Sequence, residues 1–282
     1  MNIPFTKMHG LGNDFIVIDS REVRLENIPA LAQRLCDRRF GIGADQILLL
    51  EKSGAADFRM RIFNVDGSEV EMCGNGIRCL AKYVWDRNLS RKDILDIETL
   101  AGIIRPEKAG DMVKVDMGEP VFDAEKIPVH LAHPSSFIPH PSGGIVDYPL
   151  QIEDKEFRIT CISMGNPHAV IFIDNVDEFP VSYYGPMIEH HQMFPKRTNV
   201  EFIEVIDPSA VKMRVWERGS GETMACGTGA SAAAVAAHLK GLVGRNIVVH
   251  LLGGDLMLDW AGDNRVYMTG PAVEVFEGVF RS

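Results

Sequence analysis

One constant offset constrains this chain more than any other feature. Shifted by 153 positions, Gly12-Asn13 falls on Gly165-Asn166, Gln46 on Asn199, and Arg59–Asn64 on Lys212–Glu217. Glu69 falls on Glu222, and Cys73-Gly74-Asn75-Gly76 on Cys226-Gly227-Thr228-Gly229. No gap is needed anywhere in the series. Two copies of one domain account for it, and a repeat of this kind decides the architecture before single elements are considered. The second copy begins near residue 150.

Each copy reads in the same order. A strand follows the Gly-Asn turn, Phe15–Asp19 in the first copy and Ala169–Asp174 in the second. In the first copy a helix follows, with Asn27 as N-cap, Pro29 in the first turn, and Leu31 and Leu35 facing inward. Short apolar strands come next, Ile47–Leu50 and Val200–Val205. An alternating strand then places Phe58, Met60 and Ile62 on one face and Arg59 and Arg61 on the other. Cysteine-bearing loops lead into helices. Ile77, Leu80, Ala81, Val84 and Trp85 keep helical spacing in the first, and Ala230–Leu239, ended by Gly241, reads as a buried helix in the second. Strand-like runs close the copies at Val113–Met117, Ile247–Leu252, Leu256–Trp260 and Val266–Met268. Pro128 to Pro149, with five prolines, reads as a linker whose His130, His133 and His140 lack a compact metal spacing.

Composition narrows the function classes. The chain has 282 residues, 46% hydrophobic and 24% charged, with a formal net charge of −10. That balance fits a globular protein and argues against nucleic acid or an anionic membrane surface as the partner. The sequence shows no run long enough to span a membrane and no signal-peptide core, so a cytoplasmic protein is expected. Five cysteines, an odd number, do not resemble a secreted disulfide framework. Cys36, Cys79 and Cys161 read as buried packing residues.

Cys73 and Cys226 differ from those three, because each opens a helix within Cys-Gly-X-Gly. Helix N-termini favour negative charge, which predicts a lowered thiol pKa and a reactive thiolate. The residues retained between copies are mostly polar, which points to a shared pocket in a cleft between the two domains. Two thiols flanking one carbon could remove a proton from one face and deliver one to the other, inverting a stereocentre by general acid–base catalysis. The helix N-termini would hold a substrate carboxylate and the charge developing on it. Nothing in the sequence suggests pyridoxal phosphate, and the chemistry needs no cofactor.

Four segments carry a resemblance to the diaminopimelate epimerase family: Lys7–Phe15, Leu35–Gln46, Cys73–Cys79 and Cys226–Ala230. The resemblance extends from Lys7 through Gly270-Pro271-Ala272. It implies an isomerase that interconverts LL- and meso-diaminopimelate without cofactor, on the route to lysine and peptidoglycan precursors. The implied catalytic pair is Cys73 and Cys226, with His168 and Glu217 tuning the thiols. Implied substrate contacts are Asn13, Gln46, Asn64, Gly74, Asn75, Asn166, Asn199, Glu217, Arg218, Gly227 and Thr228. The implied fold is α/β of the α+β type, with two pseudo-symmetric domains, each a curved, mainly antiparallel sheet around a central helix. Domain bounds of 1–122 and 123–271 follow, with 272–282 returning to the first domain. The implied assembly is a homodimer acting on a small molecule.

Two other readings compete. A proline or hydroxyproline racemase would share the two-thiol chemistry, but Asn75 and the Glu217–Ala225 run favour diaminopimelate. A metal-binding or redox thiol protein would use Cys73, Cys79, Cys226 and His168 as a zinc set, yet Cys79 falls about two turns into its helix, away from the loop.

Overall fold

The structure is a computed structural model of the whole chain, and it describes residues 2–131 and 144–281. His133 and His140 lie outside the described residues. The chain divides into two compact units, Met1–Asp116 with Thr269–Ser282, and Met117–Met268.

The first unit runs β1 (Asn2–Gly10), β2 (Asn13–Asp19), α1 (Ile28–Cys36), β3 (Gln46–Glu51), β4 (Phe58–Asn64), β5 (Glu69–Val70), α2 (Gly74–Asp86), β6 (Ile97–Thr99), β7 (Gly102–Ile104), β8 (Glu107–Ala109) and β9 (Met112–Asp116). The second runs β10 (Ile145–Ile152), β11 (Lys155–Ser163), β12 (Pro167–Phe172), α3 (Val181–Glu189), β13 (Asn199–Asp207), β14 (Ala210–Glu217), β15 (Gly221–Thr223), α4 (Gly227–Leu239), β16 (Asn246–Leu251), β17 (Gly254–Trp260) and β18 (Val266–Gly270). The last strand, β19 (Val273–Arg281), pairs antiparallel with β1.

Both units use the same mixed, curved sheet. Among the strands of the first unit the order is β19-β1-β2-β3-β4-β6-β7, with β8 and β9 paired antiparallel to each other; among those of the second it is β10-β11-β12-β13-β14-β16-β17-β18. Two parallel pairs recur in each: β2 with β3 and β4 with β6, then β12 with β13 and β14 with β16. Parallel neighbours need a crossover, and α1, α2, α3 and α4 supply the four. The registers repeat as well. Phe15 faces Gln46 in the first sheet and His168 faces Asn199 in the second, both members displaced by 153.

The two later crossover helices carry the cysteine loops. Helix α2 buries Ile77, Leu80, Ala81 and Val84 as its spacing predicts, and leaves Trp85 half-buried. Helix α4 is apolar on all sides and almost wholly buried from Ala230 to Ala237, which small alanine side chains allow at close quarters. It ends where expected, with the Gly241 N–H bonded to His238 O.

Two local expectations change. Asn27 occupies the N-cap position of α1, but in a left-handed conformation with no side-chain cap bond. The Pro128–Pro149 segment is not wholly linker: Ile145–Ile152 is a strand that includes Pro149. Strand β10 ends the second unit's strand order, and an edge strand tolerates a residue without an N–H. No helix among the described residues is long and apolar enough to cross a membrane.

Candidate active site

In the first unit Cys73 is the N-cap of α2, in extended backbone conformation. A capping residue accepts an otherwise unpaired N–H from the first turn. Here the Gly76 N–H reaches the Cys73 sulfur at 3.4 Å. Asn13 Oδ1 lies 3.7 Å from the same sulfur and accepts from Asn75 Nδ2 at 3.2 Å. Asn13 is held from behind, because its Nδ2 donates to Asp45 at 2.8 Å. Asn75 is held too: Arg78, a fully buried arginine, donates to its Oδ1 at 2.9 Å and to Gly74 O and Pro271 O at 3.2 Å each. Gln46 Nε2 donates to Asn64 Oδ1 at 2.8 Å, and Asn64 Nδ2 to Ser68 at 3.0 Å. Gln46 Oε1 is buried without a partner. The structure therefore joins Cys73, Asn13 and Asn75 in one hydrogen-bonded group, with Gln46 and Asn64 paired in a second.

The second unit repeats the plan with other side chains. Cys226 caps α4, also extended, and accepts from Gly229 N at 3.4 Å. Thr228 Oγ1 lies 3.5 Å from the sulfur and accepts from Asn166 Nδ2 at 3.3 Å. His168, fully buried, lies between Asn166 Oδ1 at 2.9 Å and Glu201 Oε1 at 2.7 Å. Asn199 fixes the adjoining loop, donating to Pro167 O and accepting from the Arg218 backbone N–H, both at 2.9 Å. The Arg218 side chain is exposed and donates to Lys196 O at 3.2 Å. Glu217 accepts from Thr223 at 2.5 Å. Gly74 and Gly227 are the first residues of α2 and α4.

The electrostatics correct one expectation. Burial pushes the Cys226 thiol well above its ordinary value, and the Glu217 and Glu201 carboxylates push the same way, outweighing the hydrogen bonds from Thr228 and Gly229. A helix N-terminus alone lowers a thiol pKa, but its effect is worth only about 0.3–1 kcal/mol at an exposed site. Loss of hydration for a buried thiolate exceeds that. Burial likewise raises the Glu217 carboxyl, against its hydrogen bonds with Thr223 and Cys226. Burial thus holds both Glu217 and Cys226 toward their uncharged forms. Cys36 and Cys79 are buried and pushed up to about 12 by loss of hydration. Cys161 is buried and raised for the same reason, so all three suit packing. Among the described residues, no group of three or more His, Cys, Asp or Glu side chains could hold a metal ion.

Sequence reasoning missed Asp45, Arg78, Glu201 and Thr223. Arg78 carried a signal, being a charged residue between Ile77 and Cys79 on the apolar side of a helix. Glu201 carried one as well, as a lone charge between Val200 and Phe202 in an apolar strand.

This duplicated fold is shared with solved proteins. A PhzF-family phenazine biosynthesis protein of Bacillus anthracis superposes with a TM-score of 0.73 at 19% identity, covering 100% of both chains. A hydroxyproline epimerase from Agrobacterium vitis superposes with a TM-score of 0.65 at 16% identity, covering 99% of this chain and 91% of that one. Sequence comparison is more specific. The family model described as diaminopimelate epimerase matches residues 5–123 and 160–275. The chain is 53% identical to a diaminopimelate epimerase of Acetivibrio thermocellus over 97% of each sequence. It is also 53% identical to one of Methanococcus maripaludis strain C5, over 97% of this chain and 98% of that one. The chain belongs to the diaminopimelate epimerase family, and it is an isomerase.

Proposed function

We propose that the protein interconverts LL- and meso-diaminopimelate by proton transfer at one α-carbon, with Cys73 and Cys226 serving the two faces. One cysteine, as thiolate, takes the α-proton and becomes a thiol. The other, as thiol, gives its proton to the opposite face and becomes a thiolate. The chain's net charge is unchanged, and the reverse reaction exchanges the roles. The observation that carries this reading is the equivalence of the two caps: both sulfurs accept an N–H from the third residue of their helix at 3.4 Å, at positions related by the repeat. Such equivalence suits a step and its mirror image.

The helix N-termini at Gly74–Asn75 and Gly227–Thr228 stabilise the substrate carboxylate and the negative charge that develops as the α-proton leaves. Glu217 takes the Cys226 proton when that thiol must act as base, and His168 tunes the thiols. Asn13, Gln46, Asn64, Asn75, Asn166, Asn199 and Arg218 bind the two ends of a substrate that carries both ammonium and carboxylate groups; the planar Arg218 fork suits a carboxylate. This chemistry is complete without a cofactor. Each unit acts as one copy of the duplicated domain. The reading places the enzyme in the cytoplasm, where thiols stay reduced, in lysine and peptidoglycan precursor synthesis. The exposed Val273, Val275, Phe276 and Val279 of β19 support a homodimer.

Chiral chromatography of LL-diaminopimelate incubated with purified, reduced protein tests the substrate. Appearance of the meso isomer without added pyridoxal phosphate is expected. Turnover of hydroxyproline or proline, with diaminopimelate untouched, would refute the substrate assignment.

A further inference from the structure

The two copies carry different chemistry at two equivalent buried positions. Removing the offset, His168 corresponds to Phe15 (168 − 153 = 15) and Glu201 to Leu48 (201 − 153 = 48). All four side chains are fully buried. In the first unit a Cβ on Gly76 would meet Leu48 Cδ2 at 3.2 Å and the Phe15 ring at 3.5 Å. In the second a Cβ on Gly229 would meet Glu201 Oε1 at 2.7 Å. The same space beneath the same helix turn is filled by a hydrocarbon pair in one copy and a carboxylate–imidazole pair in the other. The first copy demonstrates that packing here is satisfied by Phe and Leu. A buried ionisable pair is costly to desolvate and often no more stable than apolar residues of similar volume. The His168–Glu201 pair therefore answers a need other than packing.

Its connections identify the need. Glu201 Oε1 is 2.7 Å from His168 Nδ1, and Glu201 Oε2 has no hydrogen-bond partner. A carboxylate oxygen accepts, so the contact assigns a hydrogen on Nδ1 to Glu201. Nε2 is left to face Asn166, 2.9 Å away. An amide presents oxygen on one side and nitrogen on the other. With its oxygen accepting from a hydrogen on Nε2, Asn166 donates to Thr228, as found here, and the Thr228 hydroxyl hydrogen is free to point at sulfur. That order favours thiolate. With no hydrogen on Nε2 the amide reverses and donates to it, Thr228 donates to the Asn166 oxygen, and the Thr228 lone pair accepts S–H, which favours thiol. A two-face epimerase needs Cys226 in both forms.

We propose that Glu201 is a positioning residue of the Cys226 site: by holding the Nδ1 side of the His168 ring it leaves Nε2 to set, through Asn166 and Thr228, the direction of hydrogen bonding at the sulfur. This rests on the catalytic reading of Cys226 given above. The relay also explains why residue 229 is glycine, since any side chain there would collide with the Glu201 carboxylate.

The test combines steady-state kinetics with long-range ¹H–¹⁵N NMR of histidine-labelled protein. In the wild type the His168 ring should carry a fixed Nδ1 hydrogen. In Glu201→Leu that fixed signal should be lost and kcat should fall about 10- to 100-fold, the range for one hydrogen bond to a charged group. KM should change less than about threefold, because an interaction used for proton transfer rather than substrate holding affects kcat. Glu201→Gln keeps an acceptor for Nδ1 and should recover the signal and part of kcat. The double variant Glu201→Leu/His168→Phe copies the first unit's pair and should melt at or above the wild-type temperature, separating folding from function. An unmoved Nδ1 signal in Glu201→Leu, a kcat within about twofold of wild type, or a KM effect alone would overturn the proposal. Should Glu201→Leu not fold, a wild-type kcat in Glu201→Gln overturns it and a reduced kcat at unchanged KM upholds it. If the wild type leaves diaminopimelate unchanged, the functional reading fails, while the Nδ1 signal still reports whether Glu201 fixes the ring.

Discussion

Gly229→Ala should be severely destabilising while Gly76→Ala, its equivalent in the first copy, should be nearly neutral. Both glycines are the third residue of a cysteine-capped helix, and alanine gains about 0.8–1 kcal/mol over glycine in helix propensity at either. The surroundings decide the difference. At Gly76 the new methyl meets Leu48 Cδ2 at 3.2 Å, Cys73 Cβ at 3.4 Å and Phe15 at 3.5 Å. These are carbon atoms, and the nearest is a flexible side-chain end, so a shift of a few tenths of an ångström suffices. Strain and propensity roughly cancel, leaving a net change within about 1 kcal/mol. At Gly229 the methyl meets Glu201 Oε1 at 2.7 Å, and that oxygen is held 2.7 Å from His168. Relief requires moving a buried carboxylate off its partner. Overpacking costs about 1–3 kcal/mol, and a lost hydrogen bond to a charged group adds about 1.5–3 kcal/mol. After the propensity gain, the net loss is about 2–5 kcal/mol. Differential scanning calorimetry should show Tm lowered by roughly 4–20 °C, at about 2–4 °C per kcal/mol for units of this size. Equal losses in the two variants, or a larger loss for Gly76→Ala, would refute the reasoning.

Three further outcomes follow from the site. Alkylation of Cys226 by iodoacetamide, followed by peptide mass spectrometry, should be slow at neutral pH and rise only above the ordinary thiol range, because burial and the two carboxylates raise its pKa; Glu217→Gln should move the rise to lower pH. Glu217 is raised above its unfolded value, so its contribution to stability is full below about pH 4.5 and is lost as pH rises through the folded pKa; the Tm advantage of Glu217→Gln over wild type should therefore grow across that window and be absent in acid. Arg78→Met leaves Gly74 O, Pro271 O and Asn75 Oδ1 without this donor; partly offset by the avoided burial of a charge, it should cost about 2–5 kcal/mol in urea unfolding and raise KM as Asn75 loosens.

What the sequence disclosed was set by what repetition can reveal. The offset of 153 located both helix caps because Cys-Gly-X-Gly is a local pattern whose residues serve the same end in each copy. The paired registers of Phe15 with Gln46 and His168 with Asn199 show the same correspondence at the level of strand pairing. Looking for sameness passes over difference, however, and Glu201 lies opposite Leu48. The sign of the Cys226 shift was also hidden. It depends first on burial, then on Glu217 from β14 and Glu201 from β13, carboxylates brought together by pairing and not by sequence neighbourhood. Asn27 has the composition of a cap, but its backbone is left-handed and its side chain makes no cap hydrogen bond. Pro149 read as a linker residue because proline interrupts ladders, and only the sheet order shows that its strand is an edge.

The central claim is that two equivalent thiols each perform half of one proton transfer. The most direct measurement is proton NMR of LL-diaminopimelate in D2O with wild type, Cys73→Ala and Cys226→Ala, all reduced. The account predicts that wild type exchanges the α-proton for deuterium while forming the meso isomer, and that each single variant forms none. A single variant that still produces the meso isomer at the wild-type rate would contradict it.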